Sequence, residues 1–118
     1  MTRDVEPSAL RDLLDHPPRA TVAFVAQGAV DLLPVRARVE QDRYCFGVAG
    51  DTAPDLAGVE VVLVIDDGMY WFELRGVSVR GMAASHAAPA ETAAAGLTWY
   101  AIEPQRVLAW HYGTIRAL

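Results

Sequence analysis

The sequence predicts a mainly β domain, an antiparallel sheet curled into a barrel behind a short N-terminal helix. Three observations predict it. About seven β-branched and aromatic runs follow one another at short intervals, separated by Gly, Asp and Pro turn signals. Connections this short favour antiparallel neighbours, because a parallel crossover needs roughly a dozen residues. Glycines also fall inside one long run, where they permit the bends by which a sheet closes and removes its exposed edges.

Residues 7–15 place Leu10, Leu13 and Leu14 at helical spacing with Pro7 early, and His16-Pro17-Pro18 ends that helix. Ala20–Gln27 reads as the first strand and Gly28 as a turn. Ala29–Arg38 is the second strand, in which Val35 and Ala37 alternate with Arg36 and Arg38 as one buried and one polar face. Gln41-Asp42 turns the chain into a third strand, Arg43–Ala49. Residues 50–58 form a loop, with one helical turn expected at Ala53–Leu56. Val59–Ile65, apolar apart from Glu60, reads as a fully buried strand. Asp66-Asp67-Gly68 signals a hairpin, and Met69–Ala84 reads as one long strand carrying Gly76 and Gly81. Residues 89–95 suggest a small late helix or loop. Leu97–Glu103 and Arg106–Tyr112 read as two closing strands around Pro104-Gln105.

Composition narrows the function. The 118 residues fit one domain, expected over 1–118, and an apolar share of 53% supplies one core. No apolar run approaches the about 20 residues that span a bilayer, and the charged N-terminus does not read as a signal peptide. One cysteine, Cys45, excludes an internal disulfide, so a cytoplasmic location is expected. A formal charge of −5 argues against nucleic acid as a partner, and no membrane partner is expected. All ten basic residues are Arg, so an anion site must use guanidinium, hydroxyl or backbone N–H groups.

Common catalytic signatures are absent: there is no glycine-rich phosphate loop, no zinc-protease helix motif and no nucleophile elbow. His16, His86 and His111 lack metal-ligand spacing, and Cys45 in a strand reads as a small buried hydrophobe. No catalytic residue is assigned.

Two stretches stand out. Leu33-Pro-Val-Arg-Ala-Arg-Val39 is followed by Tyr44-Cys-Phe-Gly-Val-Ala49. Further on, Trp71–Ala83, with its Arg-Gly steps, precedes Ile102–Gly113, which contains Pro104-Gln-Arg-Val-Leu-Ala-Trp-His-Tyr-Gly113. In order and spacing this resembles the pyridoxamine 5′-phosphate oxidase-like family of FMN-binding split barrels, over about Leu10 to Arg116. The resemblance implies a split barrel of six to seven strands. It also implies a homodimer with two sites for FMN, or in some branches a deazaflavin or haem, and a flavoprotein oxidoreductase acting on an unknown small molecule. Carried over by position, Arg36 and Arg38 would meet phosphate, and the backbone of Phe46, Gly47, Val48 and Ala49 would run beside the flavin ring. Thr52 would lend a hydroxyl, and the partner subunit's Trp71 or Trp110 would cover the ring.

The loop departs from the family pattern. Gly50–Leu56 offers Thr52 but no cation, and it brings Asp51 and Asp55, which repel a phosphate dianion. An alternative is therefore a cofactor-less dimeric split-barrel module. A haem-binding relative using His111 or His86 is a further reading. Plainer roles also exist: a solvated strand face for Arg36 and Arg38, barrel curvature for Gly47, Gly76 and Gly81, and core or interface anchoring for Trp71, Trp99 and Trp110.

Overall fold

The structure, a computed structural model, describes residues 4–5, 10–51, 53–68, 70, 74–89 and 96–111. The chain order is β1 (Asp4–Val5), α1 (Arg11–Asp15), β2 (Arg19–Ala26), β3 (Ala29–Glu40), β4 (Arg43–Ala49), β5 (Glu60–Asp67), β6 (Arg75–Ser85) and β7 (Leu97–His111). Strands β7, β4, β3, β2, β5 and β6 pair in that order, and β6 pairs back onto β7 to close a six-stranded antiparallel barrel. The short β1 adds to the end of β7. Among the described residues, no helix is long and apolar enough to cross a membrane.

Alternation along the strands builds the core. Val22 and Phe24 of β2, Tyr44, Phe46 and Val48 of β4, Val61, Leu63 and Ile65 of β5, and Val77 and Val79 of β6 all point inward. Leu10, Leu13 and Leu14 of the helical segment cap this core, as their spacing predicts. Arg75 fastens the cap: it pairs with Asp67 at 2.8 Å and with Asp12 of α1 at 2.7 Å. The β2–β3 turn at Gln27-Gly28 and the β3–β4 turn at Gln41-Asp42 both hold two successive residues at positive φ, the geometry that matches strand twist in a tight hairpin.

Four sequence expectations are corrected. Pro104-Gln105 does not separate two strands, because β7 runs unbroken through it. Arg80 pairs with Arg106 and Gly81 with Pro104, so Gln105 is the extra residue of a β-bulge. The Asp66-Asp67-Gly68 signal does mark a hairpin, since β5 and β6 pair antiparallel, but Asp66 and Asp67 belong to β5. Asp67 pairs with Arg75, so residues 68–74 connect the strands and β6 begins at Arg75 rather than at Met69. Ala53–Leu56 makes no helical turn; Leu56 instead drops into the core. Within the expected helix over 7–15, the α-helix is Arg11–Asp15, and residues 7–9 lie outside the described residues. The expected late helix over 89–95 falls almost wholly outside them as well.

Candidate functional site

Strand register brings together residues that the sequence keeps far apart. Arg36 of β3 pairs with Gly47 of β4, and Gly47 pairs on its other side with Trp99 of β7. The three form one row across the outer face of the barrel, about 5 Å apart from strand to strand. The next row is Arg38, Cys45 and Ala101. Because Gly47 has no side chain, the Trp99 indole lies over it. A Cβ on Gly47 would come within 2.7 Å of Trp99 Cε2 and 2.9 Å of Cζ2. The room above Gly47 is thus filled by this chain's own indole, and a flat ligand would meet that indole before it met the glycine backbone.

Beside this row is a cleft of about 610 Å³, lined by Arg36, Arg38, Glu40, Trp99 and, from the end of α1, Asp15 and His16. Its charges are mostly engaged. Arg38 Nε donates to Glu40 Oε1 at 2.8 Å, and Asp15 faces Arg11 at 3.4 Å. Arg36 is exposed and makes no hydrogen bond or ion pair among the described residues. Trp99 is 3% exposed, and its Nε1–H is buried without an acceptor among the described residues. Leaving such a donor unpaired costs on the order of 1–3 kcal/mol.

The remaining expected site residues fall in different places. Phe46 and Val48 turn their side chains into the core, so only their backbone is offered to anything outside. The β3–β4 ladder stops at Arg36–Gly47, whereas the β4–β7 ladder continues to Ala49–Leu97, and this is where the barrel splits. Trp110 is on β7 eleven residues beyond Trp99, up to roughly 36 Å along the strand. It lies across Gly76, where a Cβ would meet Trp110 Cζ2 at 2.5 Å. The two indoles therefore belong to opposite ends of the barrel within one protomer. Thr52 and Trp71 lie outside the described residues.

Trp99 is the site residue that the carry-over by position did not select. The signal was present in register: an aromatic residue paired across an antiparallel ladder with a strand-interior glycine covers that glycine.

Among the described residues, no group of three or more His, Cys, Asp or Glu side chains is placed to hold a metal ion. His16 sits on the cleft rim, the His86 backbone N–H donates to the Trp99 carbonyl at 3.0 Å, and His111 pairs with Arg75 at the far end of β7. Burial pushes the Cys45 thiol above its ordinary value, which disfavours the nucleophilic thiolate.

No protein-family model and no curated protein matches this sequence. Solved structures do. An FAD binding protein from Mycobacterium smegmatis superposes with a TM-score of 0.70 at 17% identity, covering 91% of this chain and 95% of that one. A protein from Corynebacterium glutamicum, provisionally assigned as a pyridoxamine 5′-phosphate oxidase, gives 0.64 at 17% identity, with 92% and 91% covered. An FAD and heme binding protein from M. smegmatis gives 0.65 at 18% identity, with 92% and 71% covered. At such identities the likeness establishes the fold. The chain adopts the split barrel of the pyridoxamine 5′-phosphate oxidase-like proteins, a fold whose solved examples include flavin binders.

Proposed function

We propose that this chain is a flavin-binding split barrel that works as a homodimer and holds its ligand at the outer-face cleft beside Trp99. The observation that carries this reading is the cleft of about 610 Å³ in which the exposed Arg36 stands beside the Trp99 indole. The residues fit a flavin at two points. The Trp99 indole offers an apolar wall to a flat ring, and Arg36, with Arg38 behind it, can make charge-assisted contacts to an anionic tail. A cleft of about 610 Å³ is also within the range that holds ligands of this size.

The 50–58 connection fits less well. Its Asp51 and Asp55 oppose phosphate, so the anionic end is assigned to Arg36 and Arg38. The backbone of Phe46 to Ala49 keeps the role the resemblance implies for it, with Trp99 between Gly47 and the cleft. Thr52 and Trp71 keep the roles the resemblance implies for them. Trp110 could cover a ring only from the second protomer.

A bound flavin would supply hydride or electron transfer, which makes an oxidoreductase acting on a small molecule the enzymatic reading. The chain's own part is to orient the ring against the indole, neutralise the tail and exclude water.

Dimerisation is supported by the outer face of β2, β3 and β5. Val25 is 60% exposed, Val30 70% and Leu32 66%, and Val25 pairs directly with Val30. A contiguous apolar patch of this kind marks an association surface.

The test begins with the visible spectrum of the purified protein, followed by titration with FMN, FAD, a deazaflavin and haemin. Tight binding of a flavin or deazaflavin supports the reading and names the cofactor. The Arg36→Ala/Arg38→Ala double variant should then bind at least about tenfold more weakly. A Soret band would shift the assignment to haem. A colourless protein that binds none of them would refute the reading and leave the cofactor-less module.

A further inference from the structure

A second hollow, of about 360 Å³, opens at the barrel end beside the 50–58 connection. Ala53 and Pro54 give it an apolar wall, and Asp55, Ser85, Thr98 and Tyr100 give it polar groups. Among the described residues lining it, Asp55 is the one that carries a charge.

The carboxylate is held in place from the core. Tyr100 packs its ring on Phe46, with centroids 5.4 Å apart, and its hydroxyl donates to Asp55 Oδ1 at 3.3 Å. The Ala57 backbone N–H donates to the same oxygen at 3.0 Å, and the Leu56 N–H donates to the Tyr100 hydroxyl at 3.2 Å. Oδ2 accepts no hydrogen bond among the described residues.

The hollow thus offers an oriented negative charge with one oxygen free, neighbouring hydroxyls that can accept, and an apolar wall. That set suits a cation carrying N–H donors on a small apolar body, and it repels phosphate or carboxylate. We propose that this barrel-end hollow binds a small organic ammonium, with Asp55 as the counter-ion. Its charge preference is opposite to that of the Arg36 cleft. Thr98 and Trp99 are consecutive on β7 and point to opposite faces of the sheet, so one ladder serves both hollows.

The test uses three probes of one shape: cyclohexylamine, cyclohexanol and cyclohexanecarboxylate. Each is titrated at pH 7 into the full chain, with backbone amide NMR shifts as the readout. Cyclohexylamine is expected to shift Gly50, Ala53 and Ala57 and to bind at least about tenfold more tightly than the carboxylate. Asp55→Asn keeps an acceptor for Ala57 and Tyr100, so the connection stays in place. It should lower amine affinity at least about fivefold and leave the cyclohexanol affinity unchanged.

Equal binding of amine and carboxylate would overturn the proposal, as would shifts confined to other amides or an unchanged amine affinity in Asp55→Asn. The comparison of probes on the unsubstituted chain decides the matter even if the variant folds poorly. None of these titrations contains flavin, so they stand apart from the flavin reading.

Discussion

Replacing Gly47 with Ala tests whether the glycine exists to seat Trp99. The backbone at Gly47 is at negative φ, so Ala is conformationally acceptable there and the whole effect comes from contact. The new methyl would lie 2.7 and 2.9 Å from Trp99 ring atoms and 3.1 Å from Leu97 Cδ1. Carbon atoms pack at about 3.5–4.0 Å, so the indole must lift by roughly 1 Å. Overpacking of this kind costs about 1–3 kcal/mol, and the lower unfolded-state entropy of Ala returns about 0.4–1 kcal/mol. The expected net loss is about 1–2 kcal/mol. Trp99→Val removes the ring, so in that background Gly47→Ala should be neutral or slightly stabilising. The coupling between the two positions should then be about 2 kcal/mol. Urea unfolding followed by far-UV circular dichroism measures all four proteins without relying on tryptophan emission. An equal cost of Gly47→Ala in both backgrounds would refute the reasoning.

Other outcomes follow from neighbouring contacts. Gly81→Ala should cost about 3–5 kcal/mol in urea unfolding, because its methyl would meet the Glu103 carbonyl oxygen at 2.0 Å and only a shift of ladder backbone relieves that. The hydrogen bond from Arg75, and then its charge, hold the Asp12 carboxyl below its ordinary value of 3.8. The contribution of that pair is therefore complete above the unfolded value and is lost as pH falls through the lower folded one. Arg75→Met should remove this part of the acid limb in a pH series of thermal melts, whereas an unchanged limb would show that the contact contributes nothing. Burial raises the Cys45 thiol, so Ellman's reagent at pH 8 should label it slowly in the folded protein and rapidly in urea; fast labelling of the native chain would mean that the thiol is open.

Local chemistry made much of the fold legible. The Pro17-Pro18 stop and the turns at Gly28 and Gln41-Asp42 each act over a few residues, and the structure has them in those places. Strand β5 is also present, but it buries Val61, Leu63 and Ile65 on one face only and is not the fully buried strand expected. Pro104-Gln105 misled because the same dipeptide serves as a turn or as a bulge, and the long partner β6 decides between them. The site was legible only by halves. Arg36, Arg38 and Gly47 carry local signals of charge and of a missing side chain. Trp99 joins them only through the pairing of β4 with a strand some fifty residues later, which no local pattern encodes. Asp55 likewise reads as repulsive from sequence, and its anchoring by Tyr100 depends on the same closure.

That closure also leaves a face unsatisfied, and this bears on assembly. Leu32, Ala23 and Val62 form one row across β3, β2 and β5, with the Val25–Val30 pair beside it, and all point away from the core. A two-fold dimer through this face is isologous, so one substitution acts twice. Leu32→Asp would remove two leucine contacts of about 1.5–3 kcal/mol each and bring two carboxylates into the contact. Association weakened by at least about 1000-fold in affinity is expected, enough to convert a micromolar dimer to monomers at ordinary concentrations. Leu32 touches solvent over most of its surface, so the barrel itself should stay folded and far-UV circular dichroism should not change. Sedimentation velocity across a concentration series measures the effect. An unsubstituted chain that sediments as a monomer would refute the dimer, and a Leu32→Asp protein with unchanged association would place the contact on another face. A monomeric Leu32→Asp protein that still binds flavin at full affinity would show that the Trp99 cleft is complete within one protomer, with no ring cover from the partner's Trp110.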